Sequence, residues 1–164
     1  MQKILLIFST LLINLSCSIK TQDNLSLEEY SITMLQSGYL EGRFSISDVV
    51  EYYLKAIQSI DNEGPELNSI ISINPDALDI AKMLDSSLAN MKSLTPLYGI
   101  PIILKDNINT NDNMPTTAGS RILAQSYPST NSWVAEKLIE SNAIIIGKAN
   151  LSEWANYRAS FSSS

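Results

Sequence analysis

An apolar run, Ile100-Pro101-Ile102-Ile103-Leu104, stops abruptly at Lys105-Asp106-Asn107. A second one, Ala143-Ile144-Ile145-Ile146, stops at Gly147-Lys148. Both are short, both lack polar alternation, and helical patterns lie between and before them. Such an alternation of helices with buried apolar strands predicts an α/β sheet covered on both faces. In open α/β sheets, ligands collect outside the carboxyl ends of the strands. Lys105 therefore comes first among candidates for chemistry.

The scarcest residues exclude whole classes of mechanism. The chain of 164 residues contains no histidine and one cysteine. A Ser-His-Asp or Cys-His mechanism cannot be assembled from it, and a zinc site lacks its usual ligands. Catalysis, if present, must use Lys, Ser, Tyr, Asp or Glu. No metal and no cofactor are expected. Hydrophobic residues make up 45% and charged residues only 17%, which suits one domain with a real core and not an acidic disordered tail. The net charge of −6 argues against general affinity for nucleic acid, which requires a basic footprint.

The first residues read as an address. Lys3 supplies a positive n-region, and Ile4–Ile13 form an apolar stretch of signal-peptide length, too short for a transmembrane helix. Cys17 follows in Asn14-Leu15-Ser16-Cys17, which resembles a bacterial lipobox with asparagine where leucine is usual. Ser16-Cys17-Ser18 also offers an ordinary cleavage site after Ser18, and Cys17 could be an unremarkable part of a discarded leader. Residues 1–18 are thus expected to direct export to the periplasm or cell envelope of a bacterium, with Cys17 a lipidation candidate and a possible membrane attachment. A lone cysteine permits no internal disulfide. Residues 19–25 form a polar tether, and the folded part is expected over 26–164.

Along the folded part, Ser26-Leu27-Glu28-Glu29 predicts a capping box opening a helix that Gly38 closes. Ser45 or Ser47 opens a second helix with an apolar stripe from Val49 to Ile60, broken by Asn62–Pro65. Leu67–Ile73 reads as a strand, and Asn74-Pro75 as the start of a helix burying Ala77, Leu78, Ala81, Leu84 and Leu88. Pro101 inside the Gly99–Leu104 strand implies an edge position or a bulge. Thr130 or Asn131 opens a helix carrying Trp133, Val134, Leu138 and Ile139, with Asn142 as its stop. A short helical pattern surrounds Leu151–Tyr157.

A lysine directly after an apolar run risks partial burial, and burial disfavours an ammonium; a neutral amine is a general base. The plain alternative is a lysine emerging into solvent beside Asp106. Four motifs bear on the choice: Gly99-Ile100-Pro101, Lys105-Asp106-Asn107, Pro115-Thr116-Thr117-Ala118-Gly119-Ser120 and Gly147-Lys148-Ala149-Asn150-Leu151-Ser152-Glu153. In that order and at that spacing they resemble the landmarks of the amidase signature family, serine hydrolases of carbon–nitrogen bonds, over most of Ser26–Tyr157. Glu153-Trp154-Ala155-Asn156 is similar to members acting on peptide or small carboxamides. One departure is Asn142, where the family commonly has glycine before the alanine.

The resemblance implies the amino-terminal part of a mixed sheet covered by helices. It also implies a triad of nucleophilic serine, bridging serine in a cis peptide, and lysine, with Lys105 as the general base. Asp106, Asn107, Thr116, Thr117, Gly119 and Ser120 are then supporting residues, with Ser120 structural. Lys148 reads as a solvated strand-end lysine, and nothing in the sequence places Glu153 beside Asp106. The family's serines belong to a glycine- and serine-rich loop, and no Gly-Gly-Ser-Ser-Gly pattern occurs here; Ser162-Ser163-Ser164 fit a segment preceding it. The expectation is an amidase acting on a small-molecule or peptide amide, represented by its lysine alone and inactive as it stands. Two alternatives remain open: a non-catalytic fragment or binding lipoprotein, and the amidase-type subunit of a transfer-RNA-dependent amidotransferase, which an export leader disfavours.

Overall fold

The structure, a computed structural model, describes residues 26–89 and 91–155. The leader, Cys17 and Ser162–Ser164 lie outside the described residues. In chain order the elements are α1 (Ile32–Glu41), α2 (Ile46–Ala56, continued by a π-helical turn Ile57–Asn62), β1 (Ile70–Ile73), α3 (Ala77–Leu88), β2 (Pro101–Lys105), α4 (Trp133–Glu140) and β3 (Ile144–Ala149). Short 3₁₀ turns cover Arg121–Leu123 and Glu153–Ala155.

The strands form a mixed sheet in the order β1-β3-β2, with β3 antiparallel to β1 and parallel to β2. Its central place explains why β3 is the most buried of the three strands: Ile144, Ile145 and Ile146 are all buried. Ile144 and Ile146 join the core made by Leu35, Tyr39, Val49, Val50, Ala77 and Ala81 of α1–α3. Ile145 joins Leu104, Met114 and Ala135 on the α4 side. Each fully buried aliphatic side chain of this kind contributes roughly 1.5–3 kcal/mol. Pro101 sits on an edge strand, beside a bulge at Ile102/Ile103, as its missing N–H requires. The bulge places Ile146 as an extra residue on β3. Asn74 holds it, its backbone N–H donating to Ile146 O at 3.0 Å and its side chain to Ile145 O at 2.7 Å.

Helical coverage is partial. Ile71, Ile73 and Ile103 are each close to 40% exposed, and Trp133 of α4 is 77% exposed, so α4 is buried chiefly at Ala135.

Several local expectations are corrected. The first helix does not start at Ser26: Ser31 is its N-cap, accepting from Met34 N–H. Buried Leu27 instead anchors a tight turn, closed by Tyr30 N–H on Leu27 O, with Glu29 at φ +62°. Nor does Gly38 close α1. It lies inside the helix, where a Cβ would stand 2.1 Å from the Phe44 ring, while Gly42 makes the left-handed cap at φ +67°. The first strand is shorter than Leu67–Ile73, because Glu66 and Asn68 have φ of +53° and +50° and cannot extend it. Its start is set by buried Asp61, which accepts from the N–H groups of Ser69 and Ile70 and from the Ser69 hydroxyl.

Two further helix starts shift: Asp76, not Asn74-Pro75, stands at the N-cap of α3, and Ser132, not Thr130 or Asn131, caps α4 by accepting from Ala135 N–H. Ser45 caps α2 in a full capping box with Asp48, and Asn142 ends α4 in the left-handed conformation at φ +59°.

Candidate active site

β2 delivers Lys105 at its carboxyl end. The strand stops there because Asp106 makes its last main-chain bond to Ala149 O at 3.1 Å, and Ile108 N–H then folds back onto Lys105 O at 3.0 Å. The Lys105 side chain is exposed, contrary to the partial burial its apolar approach suggests. Its Nζ donates to Asn150 O at 2.5 Å and, among the described residues, makes no ion pair with Asp106. Asn150 is itself pinned, through its N–H to Ser69 O at 2.7 Å and its side-chain amide to Asn68 O at 3.0 Å.

The residues after Lys105 have distinct places. Asp106 is wholly buried, and a buried carboxylate is costly without hydrogen-bond donors. Thr117 meets that need with its N–H, at 3.2 and 3.3 Å to the two carboxylate oxygens, and with its hydroxyl. Ala118 N–H donates to Asp106 O at 2.9 Å. Asn107 is exposed on the turn. Gly119, at φ +69°, donates to the Thr117 hydroxyl and lies where a Cβ would stand 2.6 Å from Leu151 O. The Ser120 hydroxyl donates to Glu153 Oε1 at 2.8 Å. Glu153 therefore faces Ser120, whereas Asp106 is engaged by Thr117.

Lys148 corrects the sequence reading. It is wholly buried, not solvated. Its Nζ donates to Ile108 O and to Thr116 Oγ1, each at 2.9 Å. Burial pushes its pKa down from the ordinary lysine value, against the opposing charges of Asp106 and Asp112. Simple alternation from Ile144 would turn residue 148 toward α1–α3. The extra residue at Ile146 shifts that parity, so Lys148 stands opposite Leu104 on the α4 side. Bulges of this kind have no reliable signature in a single sequence. Asn150, the residue that holds the Lys105 ammonium, was visible only as part of a motif.

Left-handed backbone gathers at this end of the sheet. Ala118, Gly119, Trp154 and Ala155 all have positive φ, and Trp154 N–H donates to Ala118 O at 2.8 Å. Each such non-glycine residue costs roughly 1–3 kcal/mol, and such strain clusters at functional sites. Among the described residues no group of three His, Cys, Asp or Glu side chains could hold a metal, and no helix is long and apolar enough to cross a membrane. A groove of about 610 Å³ beside Tyr39, Phe44, Asp85 and Met91 shares no residue with the Lys105 region. Its Asp85 carboxylate is already committed to the N–H groups of Ile46 and Ser47.

Comparison with known proteins shows the family of the chain. The family model described as Amidase matches residues 48–163. A probable amidase of Arabidopsis thaliana is 40% identical over 161 residues, covering 95% of this chain and 31% of its own length. A glutamyl-tRNA(Gln) amidotransferase subunit from Thermoanaerobacter pseudethanolicus is 38% identical, covering 79% of this chain and 26% of its own length. The crystal structure of a peptide amidase from Stenotrophomonas maltophilia superposes with a TM-score of 0.77 at 37% identity, over 83% of this chain and 28% of that one. The chain thus spans about a third or less of the length of the relatives it matches.

Proposed function

The chain belongs to the amidase family, and on that premise we propose that it supplies the lysine arm of an enzyme that hydrolyses a carboxamide C–N bond. The observation that carries this reading is the placement of Lys105, at the carboxyl end of β2 with its Nζ on Asn150 O and its turn held by Asp106 and Thr117. In the reaction the neutral Lys105 amine takes a proton from a bridging serine hydroxyl, which takes one from the nucleophilic serine. The serine oxygen bonds to the amide carbon, and the proton returns by the same path to the leaving nitrogen as the C–N bond breaks. Water then releases the carboxylic acid. Both serines lie outside the motifs found in this chain, in the glycine- and serine-rich loop that the family resemblance implies. The likeness to peptide amidase favours a peptide or small carboxamide as substrate.

Reading the genomic locus past codon 164 tests this. A glycine- and serine-rich loop in frame supports the proposal. A stop codon with no such loop downstream favours the second reading, a non-catalytic product, for which the exposed Ile71, Ile73 and Ile103 on edge strands are the supporting observation. The amidotransferase relatives support a third reading, a cytoplasmic amidase-type subunit. Residues 1–18 bear on it: we read them as an export leader, so deleting them should retain the protein in the cytoplasm, whereas unchanged localisation favours the third reading.

A further inference from the structure

We propose that Lys148 is a positioning residue for the Lys105 turn, its buried Nζ clamping Ile108 and Thr116 and so fixing how the turn leaves β2. The inference rests on the amidase reading only in treating that turn as catalytic. Lys148 is wholly buried, and both of its acceptors belong to the irregular segment that starts at Lys105 and returns at Thr116–Ser120. Ile108, the first acceptor, closes the turn by donating its own N–H to Lys105 O. Thr116, the second, directly precedes Thr117, which holds the Asp106 carboxylate from the other side.

The segment is therefore gripped twice. Asp106 ties it to the sheet through Ala149 O, and Lys148 reaches it from β3 across Leu104. A methionine or leucine at 148 would fill the same space without desolvating a charge, so packing alone does not explain an amine there. Its two directed bonds to the turn do. The bulge at Ile146, secured by Asn74, is what aims the side chain at the turn.

The test uses the 164-residue chain, isotope-labelled, and its Lys148→Met, Thr116→Val and Val50→Ala variants. Amide hydrogen exchange is followed at Ile108, Thr117 and Ala118 in the turn and at Ile144 in the sheet, together with the Lys105 Cε resonance. Lys148→Met should lower protection at the turn amides by about tenfold or more beyond any loss at Ile144, and should shift the Lys105 signal. Thr116→Val should give the same pattern in weaker form. Val50→Ala, a deletion in the core on the α1–α3 side, should lower all protection together and leave the Lys105 signal in place. Equal losses at turn and sheet in Lys148→Met and Thr116→Val, or an unmoved Lys105 resonance, overturn the proposal. If Lys148→Met does not fold, Thr116→Val decides on the same criteria. None of these readouts uses hydrolysis, so failure of the clamp and failure of the amidase reading are separately visible.

Discussion

The ammonium of Lys105 and the main-chain oxygen of Asn150 lie 2.5 Å apart, joining the end of β2 to the segment that follows β3. A lysine has four side-chain torsions to fix, and a single carbonyl on a well-anchored residue orients its amine. Asn150 is anchored through Ser69 and Asn68, so the lysine's position depends on the start of β1 as well.

That start carries the first prediction. The Ser69 hydroxyl, and then the N–H groups of Ser69 and Ile70, hold the Asp61 carboxyl below its ordinary pKa. A group whose folded pKa is depressed contributes stability above its unfolded value of about 3.9, and that stability is lost as pH falls through the folded value. Urea midpoints should therefore decline below about pH 4 in the native protein. Asp61→Asn should remove part of that decline and lower the midpoint at neutral pH.

Thr117→Val removes the hydroxyl facing the buried Asp106 carboxylate and leaves the volume unchanged. A hydrogen bond to a charged group is worth about 1.5–3 kcal/mol, so a loss of that size is expected in denaturant unfolding. Thr117→Ser keeps the donor and should cost clearly less.

Gly38→Ala would raise helix propensity by about 1 kcal/mol at an ordinary site. Here the added Cβ meets the Phe44 ring at 2.1 Å, in a core where Phe44 also packs edge-on against Tyr39 and Tyr30. Overpacking of this kind costs about 1–3 kcal/mol, and the net effect should be destabilising. The double variant Gly38→Ala/Phe44→Leu should recover part of the lost thermal stability.

Much of the fold was legible because local chemistry and tertiary structure agree. The Ser45–Asp48 box, the Pro101 edge strand and the Asn142 helix stop each follow from the backbone geometry their residue types allow. Asn142 also shows why the departure from glycine is tolerated: asparagine visits the left-handed region at small cost. The misreadings have tertiary causes. Ser26 offers a sound capping box, but burial of Leu27 commits that stretch to a turn. Gly38 resembles a helix stop until Phe44 is seen against it. Motif order put Lys105, Asp106 and the threonines in one region, and the structure brings Asp106 and Thr117 into contact, whereas the burial of Lys148 was not legible. A one-residue bulge at Ile146 decides which face it takes.

Whether Lys105 is the general base of an amide hydrolase is decided by one experiment. A peptide carboxamide is offered to the polypeptide translated from the complete reading frame of the locus and to its Lys105→Met variant. Because the side chain is exposed, the substitution should change stability by no more than about 0.5 kcal/mol. A general base at this position requires a fall in kcat of roughly 10²- to 10⁴-fold with the melting temperature preserved. Turnover by Lys105→Met equal to that of the unsubstituted enzyme would contradict the assignment.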